Sequence, residues 1–251
     1  MKPIKYFELS RLGLLFKMEI CRNKKGLLMT LFVLLGLNLT GFILENIFSN
    51  TRVYSSHNSG FVFFMLIGGF IVSSFAFNDL SNPLKRLHYL TLPATTFEKT
   101  LSMWLLTCIT WIIIFTLSYI AFSFITNAIG SAIFSKVTFY AFDPLSSKAI
   151  NGIKFYIVLQ SVFLAAAVHF RGYVFIKTLF TILVFAIVCG IVFYFLMADL
   201  FSSNMDTLDN FNPMDDKSFN QLWQVIKYLF WWVLAPISWV VTFLGLKEQE
   251  V

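Results

Sequence analysis

Six long apolar stretches, at about 27–48, 60–77, 101–125, 153–170, 174–197 and 225–246, set the first constraint on this chain. Each has roughly the 17–25 residues that a helix needs to cross a ~30 Å hydrocarbon slab. The connections between them are shorter than about 30 residues, too short to bury a water-soluble core. Composition agrees: apolar residues make up 58% of the chain and charged residues 13%, where a soluble domain carries about 25%. The expected fold class is an all-α membrane protein of one domain, 1–251. It divides into a cytoplasmic segment (1–26), a six-span region (27–246) and a cytoplasmic tail (247–251).

The distribution of positive charge orients these spans. The first 26 residues hold Lys2, Lys5, Arg11, Lys17, Arg22, Lys24 and Lys25 against only Glu8 and Glu19. The apolar run at 27–44 is too long for a cleavable signal and lacks a small-residue exit, so it reads as the first span. With both termini in the cytoplasm, thirteen of the nineteen basic residues lie inside. Arg52, Lys136, Lys148, Lys154, Lys217 and Lys227 lie outside. The net charge of +6 then reflects topology and contact with anionic lipid. No basic patch is interleaved with aromatics, and no nucleic-acid partner is expected.

Span four is the weakest of the six. Its uncharged core at 155–168 covers about 21 Å at 1.5 Å per residue. A full crossing asks Lys154 and the 169–171 stretch to snorkel, and a re-entrant segment is the alternative. The three cysteines, Cys21, Cys108 and Cys189, are odd in number and read as small buried apolar residues without a disulfide framework.

Before span one, Leu9, Leu12, Phe16 and Ile20 form one helical stripe, read as a helix lying in the membrane interface. The connection after span two is dense in local signals. Asn82 before Pro83 is an N-cap followed by a first-turn proline. Leu84 and Leu87 then share one side of a short helix that carries Tyr89 and Leu90 near its end, and Pro93 stops it. Thr95 and Glu98 make a capping box that opens span three. This predicts a short surface helix, a break, and a capped transmembrane helix.

Residues 126–152 read as short outer-surface helices. The stretch 199–221, with Asp206, Asp209, Asp215 and Asp216, lacks the spacing and glycine of a calcium loop and reads as a solvated outer loop. Inside the spans, Asn38 and Gln160 either line a route or bond neighbouring helices. Ser161/Ala165 and Ala186/Gly190 have the spacing that lets helices approach closely. Glu45 reaches toward headgroups. Pro236 is expected to kink span six or free a carbonyl, and Trp223, Trp231, Trp232 and Trp239 cluster around it, the outer ones suited to the interface.

Soluble-enzyme signatures are missing from the sequence. There is no phosphate loop, no G-x-G-x-x-G, no H-E-x-x-H and no G-x-S-x-G. His57, His88 and His169 fall on two membrane sides in the expected topology, so no shared metal site is expected. Asp79 and His88 share the inner surface and are the one candidate acid/base pair.

The segment YLTLPATTFEK at 89–99 resembles the "LP-A/S-x-x-x-EK" element of compact membrane subunits of ABC-2-type ATP-binding-cassette transporters. The ending LKEQEV at 246–251, after Pro236 and Trp239, is similar to their C-termini, and the span pattern is similar along nearly the whole chain. The resemblance implies an export machine of two permease subunits and two P-loop ATPase subunits in a bacterial inner membrane. ATP and magnesium would be held by the ATPase partner, with no cofactor or catalytic residue in this chain. It implies an N-terminal elbow helix and outer re-entrant helices at about 199–221, a stretch more acidic than such helices. It also implies a cytoplasmic coupling helix made of Pro83, Leu84, Lys85, Arg86, Leu87, His88, Tyr89 and Leu90, with Glu98 and Lys99 beside it. Asn38 and Gln160 would border the substrate path, and a peptide, lipid-like or other amphipathic molecule would be the cargo. An intramembrane enzyme and a non-transporting structural or assembly protein are the alternatives.

Overall fold

A computed structural model describes residues 7–48, 57–133, 142–202, 224–225 and 227–250. Among them there is no strand, and six helices are long and apolar enough to cross a membrane, the pattern of an integral membrane protein. The expected positions of Lys2, Lys5, Arg52, Lys136, Lys217, Trp223 and the acidic stretch at 203–221 lie outside the described residues.

The elements are α1 (Leu9–Phe48), α2 (His57–Ser74), α3 (Pro83–Leu90), α4 (Thr96–Trp104), α5 (Trp111–Ile133), α6 (Ser147–His169), α7 (Val174–Ser202) and α8 (Leu234–Glu250). A 3₁₀ turn, Asn78–Ser81, precedes α3. Two wide π-helical turns join helices end to end: Leu105–Thr110 links α4 to α5, and Leu229–Val233 leads into α8.

The amphipathic stripe and the first apolar run are one helix, α1, of 40 residues. This differs from a separate interfacial helix followed by a span. The reason is local: no proline occurs between 9 and 48, and Arg22 pairs with Glu19 one turn away. Single glycines cost a helix only about 1 kcal/mol each, too little to break it here. At 1.5 Å per residue α1 is about 60 Å long, roughly twice the slab.

The signals around α3 appear as read. The Asn82 side chain accepts from the Leu84 amide at 3.1 Å, and Pro83 occupies the first turn. The Thr95 hydroxyl accepts from the Glu98 amide, and the Glu98 carboxylate accepts from the Thr95 amide at 2.9 Å. Proline in span six acts through its neighbourhood. Pro236 has no N–H for the Trp232 carbonyl, and its ring crowds that turn. The backbone ahead of it widens into the π turn, where the Leu234 amide bonds back to the Leu229 carbonyl.

α6 is the centre of the bundle, packed on α2 along one side and on α8 along the other. Helix α2 comes close because it carries Gly69: a Cβ there would sit 2.1 Å from the Tyr156 ring of α6. Phe70 stacks on Phe163 one turn along, with ring centroids 4.4 Å apart. Lys154, His169 and Arg171, the residues asked to snorkel, are all exposed. α6 has 23 residues, enough to cross, and its apolar window is half buried, more than that of any other span. In contrast, α7 has only 11% of its window buried and faces outward over most of its length. Exposed apolar surface of that kind suits lipid.

Two expectations differ. Residues 126–133 continue α5 and 147–152 begin α6, so the described part of 126–152 extends the spans instead of forming short separate helices. Long apolar helices keep propagating because each added residue brings a hydrogen bond with no new nucleation. Of the cysteines only Cys108 is buried; Cys21 and Cys189 are exposed, on the outward sides of α1 and α7.

Candidate functional site

Five ion pairs collect at the end of the bundle where α3 sits. Glu98, on the first turn of α4, is fully buried. It accepts from the Glu8 amide at 2.8 Å and from an Arg11 guanidinium nitrogen at 3.0 Å, besides the Thr95 amide. Lys99, beside it, is also buried and points the other way. Its Nζ donates to the Leu90 carbonyl at 2.9 Å and to Glu250 Oε1 at 2.8 Å. Glu250 also accepts from the Thr96 hydroxyl. Two adjacent side chains thus tie the start of α1, the end of α3 and the end of α8 to one turn of α4. Gln249 extends this to α6 by donating to the Val168 carbonyl at 2.8 Å.

A second tie lies one element away. Arg22 of α1 bonds Glu19 on its own helix and Asp79 of the 3₁₀ turn, the latter at 2.5 Å. Tyr89 lies between the two ties, with the Arg22 guanidinium 5.6 Å and the Lys99 ammonium 5.8 Å from its ring centroid. Both are within cation–π reach. Burial, ahead of the neighbouring Glu19 charge, pushes the Tyr89 phenol well above its ordinary range, so it remains a neutral hydroxyl. That hydroxyl has no hydrogen-bond partner among the described residues.

Held from beneath in this way, α3 turns its other face outward. Leu84 is 79% and Leu87 63% exposed, with Pro83, Lys85 and His88 exposed around them and Arg86 half-buried. The residues expected to couple therefore divide by position. Pro83, Leu84, Lys85, Leu87 and His88 form an outward surface, whereas Tyr89, Glu98 and Lys99 face inward and fasten it, with Leu90 half-buried between. The sequence motif at 98–99 is thus built as an anchor for α3. Sequence reasoning missed the partners Glu8, Arg11, Glu19, Arg22 and Glu250. The Glu8/Arg11 and Glu19/Arg22 spacings of three residues carried the local signal.

Asn38 and Gln160 are both buried and both bonded. Asn38 Nδ2 donates to the Tyr119 hydroxyl at 3.4 Å, and that hydroxyl donates to the His57 carbonyl at 2.9 Å. Gln160 Nε2 donates to the Thr107 hydroxyl at 2.7 Å, inside the π turn. Tyr156 uses the same turn, donating to the Thr107 carbonyl at 2.5 Å. A π turn frees a carbonyl from the regular ladder, and π turns recur at functional positions. Here the freed group is taken by α6.

Asp79 and His88 are not joined as an acid/base pair: Asp79 is bound to Arg22, and His88 lies exposed on α3. No group of three or more His, Cys, Asp or Glu side chains suited to a metal ion occurs among the described residues. The arrangement offers a short, rigidly mounted helix with two exposed leucines at the polar end of a membrane bundle. The chain matches no protein-family model, no curated protein and no solved structure.

Proposed function

We propose that this chain is the membrane-spanning permease subunit of an ABC-type transporter, working with a separate P-loop ATPase that binds ATP and magnesium. In this reading it pairs with a second permease copy or a relative in a bacterial inner membrane. It exports a peptide, lipid-like or other amphipathic substrate. The observation that carries the proposal is α3. Leucines exposed to water outside the bilayer are costly to leave uncovered, and this pair is fastened to the bundle by Tyr89 and by the Lys99 bond to the Leu90 carbonyl. A helix mounted so firmly can transmit a push received on Leu84 and Leu87 into α4, α1 and α8. The positive-charge count supports placing α3 and the two termini in the cytoplasm. The contact of Glu98 with Glu8, next to that of Lys99 with Glu250, agrees with both ends lying on one side.

The test is co-purification with a co-expressed candidate ATPase. Burying one leucine in a partner groove contributes roughly 1.5–3 kcal/mol by area transfer. Leu84→Asp with Leu87→Asp removes that contact and adds unpaired buried charge, so the ATPase is lost while the bundle still inserts. Leu145→Asp is the control. Leu145 is 78% exposed just before α6, whose other end lies against Gln249 at the α3 end. Retention of the ATPase by the double aspartate variant refutes α3 as the coupling element.

A further inference from the structure

Glu19 sits on α1 ahead of the first apolar run and is fully buried. Only one of its oxygens is served. Oε2 accepts from the Arg22 guanidinium and, at 3.3 Å, from the Asn23 side-chain amide. Oε1 is buried with no hydrogen-bond partner among the described residues. An ionised carboxylate has room for about four hydrogen bonds. A buried charge left short of them is costly, and a proton on Oε1 removes that cost.

The balance of charge points the same way. One guanidinium, that of Arg22, serves two carboxylates, Glu19 on its own helix and Asp79 on the 3₁₀ turn. The Asp79 side chain is 21% exposed and shares its charge with water, whereas that of Glu19 is not exposed at all. The proton that balances the trio therefore goes to Glu19. Burial lifts the Glu19 carboxyl to about 7 against the opposing pull of Arg22, and the Asp79 charge adds to the lift. The other ionisable groups nearby are already engaged or solvated. Lys17, Lys24 and Lys25 of α1 are exposed. On α3, Tyr89 is a neutral phenol facing the Arg22 guanidinium, Lys85 and His88 are exposed, and Arg86 is half-buried. On α4, Glu98 is bound to Arg11, and Lys99 to Glu250 of α8. The π turn brings only the buried thiol of Cys108. His57 of α2 and Tyr119 of α5 lie at the far end, beside Asn38 and Phe42.

We propose that Glu19 is a proton-sensing residue that sets how firmly α3 is mounted. With its carboxyl protonated, Arg22 is given over to Asp79 and the Tyr89 ring, and ties the 3₁₀ turn and α3 to α1. With the carboxyl ionised, Arg22 is drawn back to its own helix, Glu19 repels Asp79, and the tie slackens. The sign follows from linkage. A carboxyl lifted in the folded state contributes stability that is full below its ordinary value of 4.5 and is lost as pH rises to about 7. The mount is firm in mild acid and slack in mild alkali. This switch goes beyond the transporter reading and stands without it, because every group it uses belongs to this chain.

Amide exchange across 78–91 tests this on the full chain in neutral detergent, from about pH 5.5 to 8, each rate being divided by the intrinsic rate at that pH. Protection falls about tenfold or more between pH 5.5 and 7 and then levels off, since a proton held only by the mounted form is worth about tenfold per pH unit. Glu19→Gln keeps the side chain's shape and cannot ionise. Its profile is flat, and at pH 8 it is protected about tenfold better than the natural chain. In an Asp79→Ala background the same substitution brings no gain, because the freed Arg22 has nothing on the turn to hold. Infrared difference spectra between pH 8 and 5.5 show a protonated-carboxyl band that Glu19→Gln removes. Protection in the natural chain that stays flat or rises with pH overturns the proposal. So does a gain from Glu19→Gln that persists in the Asp79→Ala background, or a carboxyl band that Glu19→Gln leaves in place. The first of these is read on the natural chain, so the test stays decisive if a variant fails to fold.

Discussion

Breaking the Lys99–Glu250 contact is the sharpest test of how α3 is mounted. Lys99 is 1% exposed and makes two charge-assisted bonds, at 2.8 and 2.9 Å. Hydrogen bonds to a charged group are worth about 1.5–3 kcal/mol each. Lys99→Met keeps the length of the stem and removes both. Glu250 is 23% exposed, so its carboxylate regains water when its partner is lost. The expected loss is therefore about 3 kcal/mol, near the lower end of the cost of breaking a buried pair. The pair itself is isolated by a double-mutant cycle with Glu250→Gln, read by reversible unfolding in mixed micelles of neutral detergent and dodecyl sulfate. A coupling of about 1–2 kcal/mol is expected for side chains in direct contact. Amide exchange in 83–91 should accelerate in Lys99→Met, because the Leu90 carbonyl loses its donor. Additive effects, with coupling below about 0.3 kcal/mol, or unchanged exchange in α3 refute the anchoring role.

The remaining predictions concern packing and orientation. Gly69→Ala puts a methyl 2.1 Å from the Tyr156 ring and should cost about 1–3 kcal/mol by overpacking, while Gly36→Ala, which meets nothing within 4 Å, should stabilise by up to about 1 kcal/mol; the same unfolding assay compares them. Tyr156→Phe deletes the bond to the Thr107 carbonyl and should cost about 0.5–1.5 kcal/mol, with increased amide exchange in the π turn. In a background without Cys21, Cys108 and Cys189, single cysteines at Ser10 and Lys247 should resist an impermeant thiol reagent in intact cells and react after permeabilisation. Labelling of either in intact cells defeats the expected topology.

What the sequence disclosed was local or long-period. Asn82, Pro83, Thr95 and Glu98 were legible because a cap is decided within four residues. The spans were legible because hydropathy averages over twenty. Lys99 was not, because its meaning lies with residue 250, which no window around 99 contains. The two π turns differed: a disturbance ahead of Pro236 was expected from that proline, whereas the turn at 105–110 answers to Tyr156 and Gln160 on a different helix. Continuity of α1 was obscured by composition. The change from basic to apolar near 26 resembles a boundary, yet nothing there breaks the hydrogen-bond ladder.

That unbroken α1 has a mechanical consequence. It meets the rest of the bundle at successive heights: Arg11 with Glu98, Arg22 with Asp79, Leu34 in the core, Asn38 with Tyr119, and Phe42 stacked on His57. A rod about 60 Å long, pinned at that many levels and without a proline hinge, transmits rotation with little loss. A tilt of 5° about one end would displace the other by about 5 Å, comparable to one helical turn. The start of α1 and the His57 end of α2 therefore behave as opposite ends of one crank, and a load taken at either is read at the other.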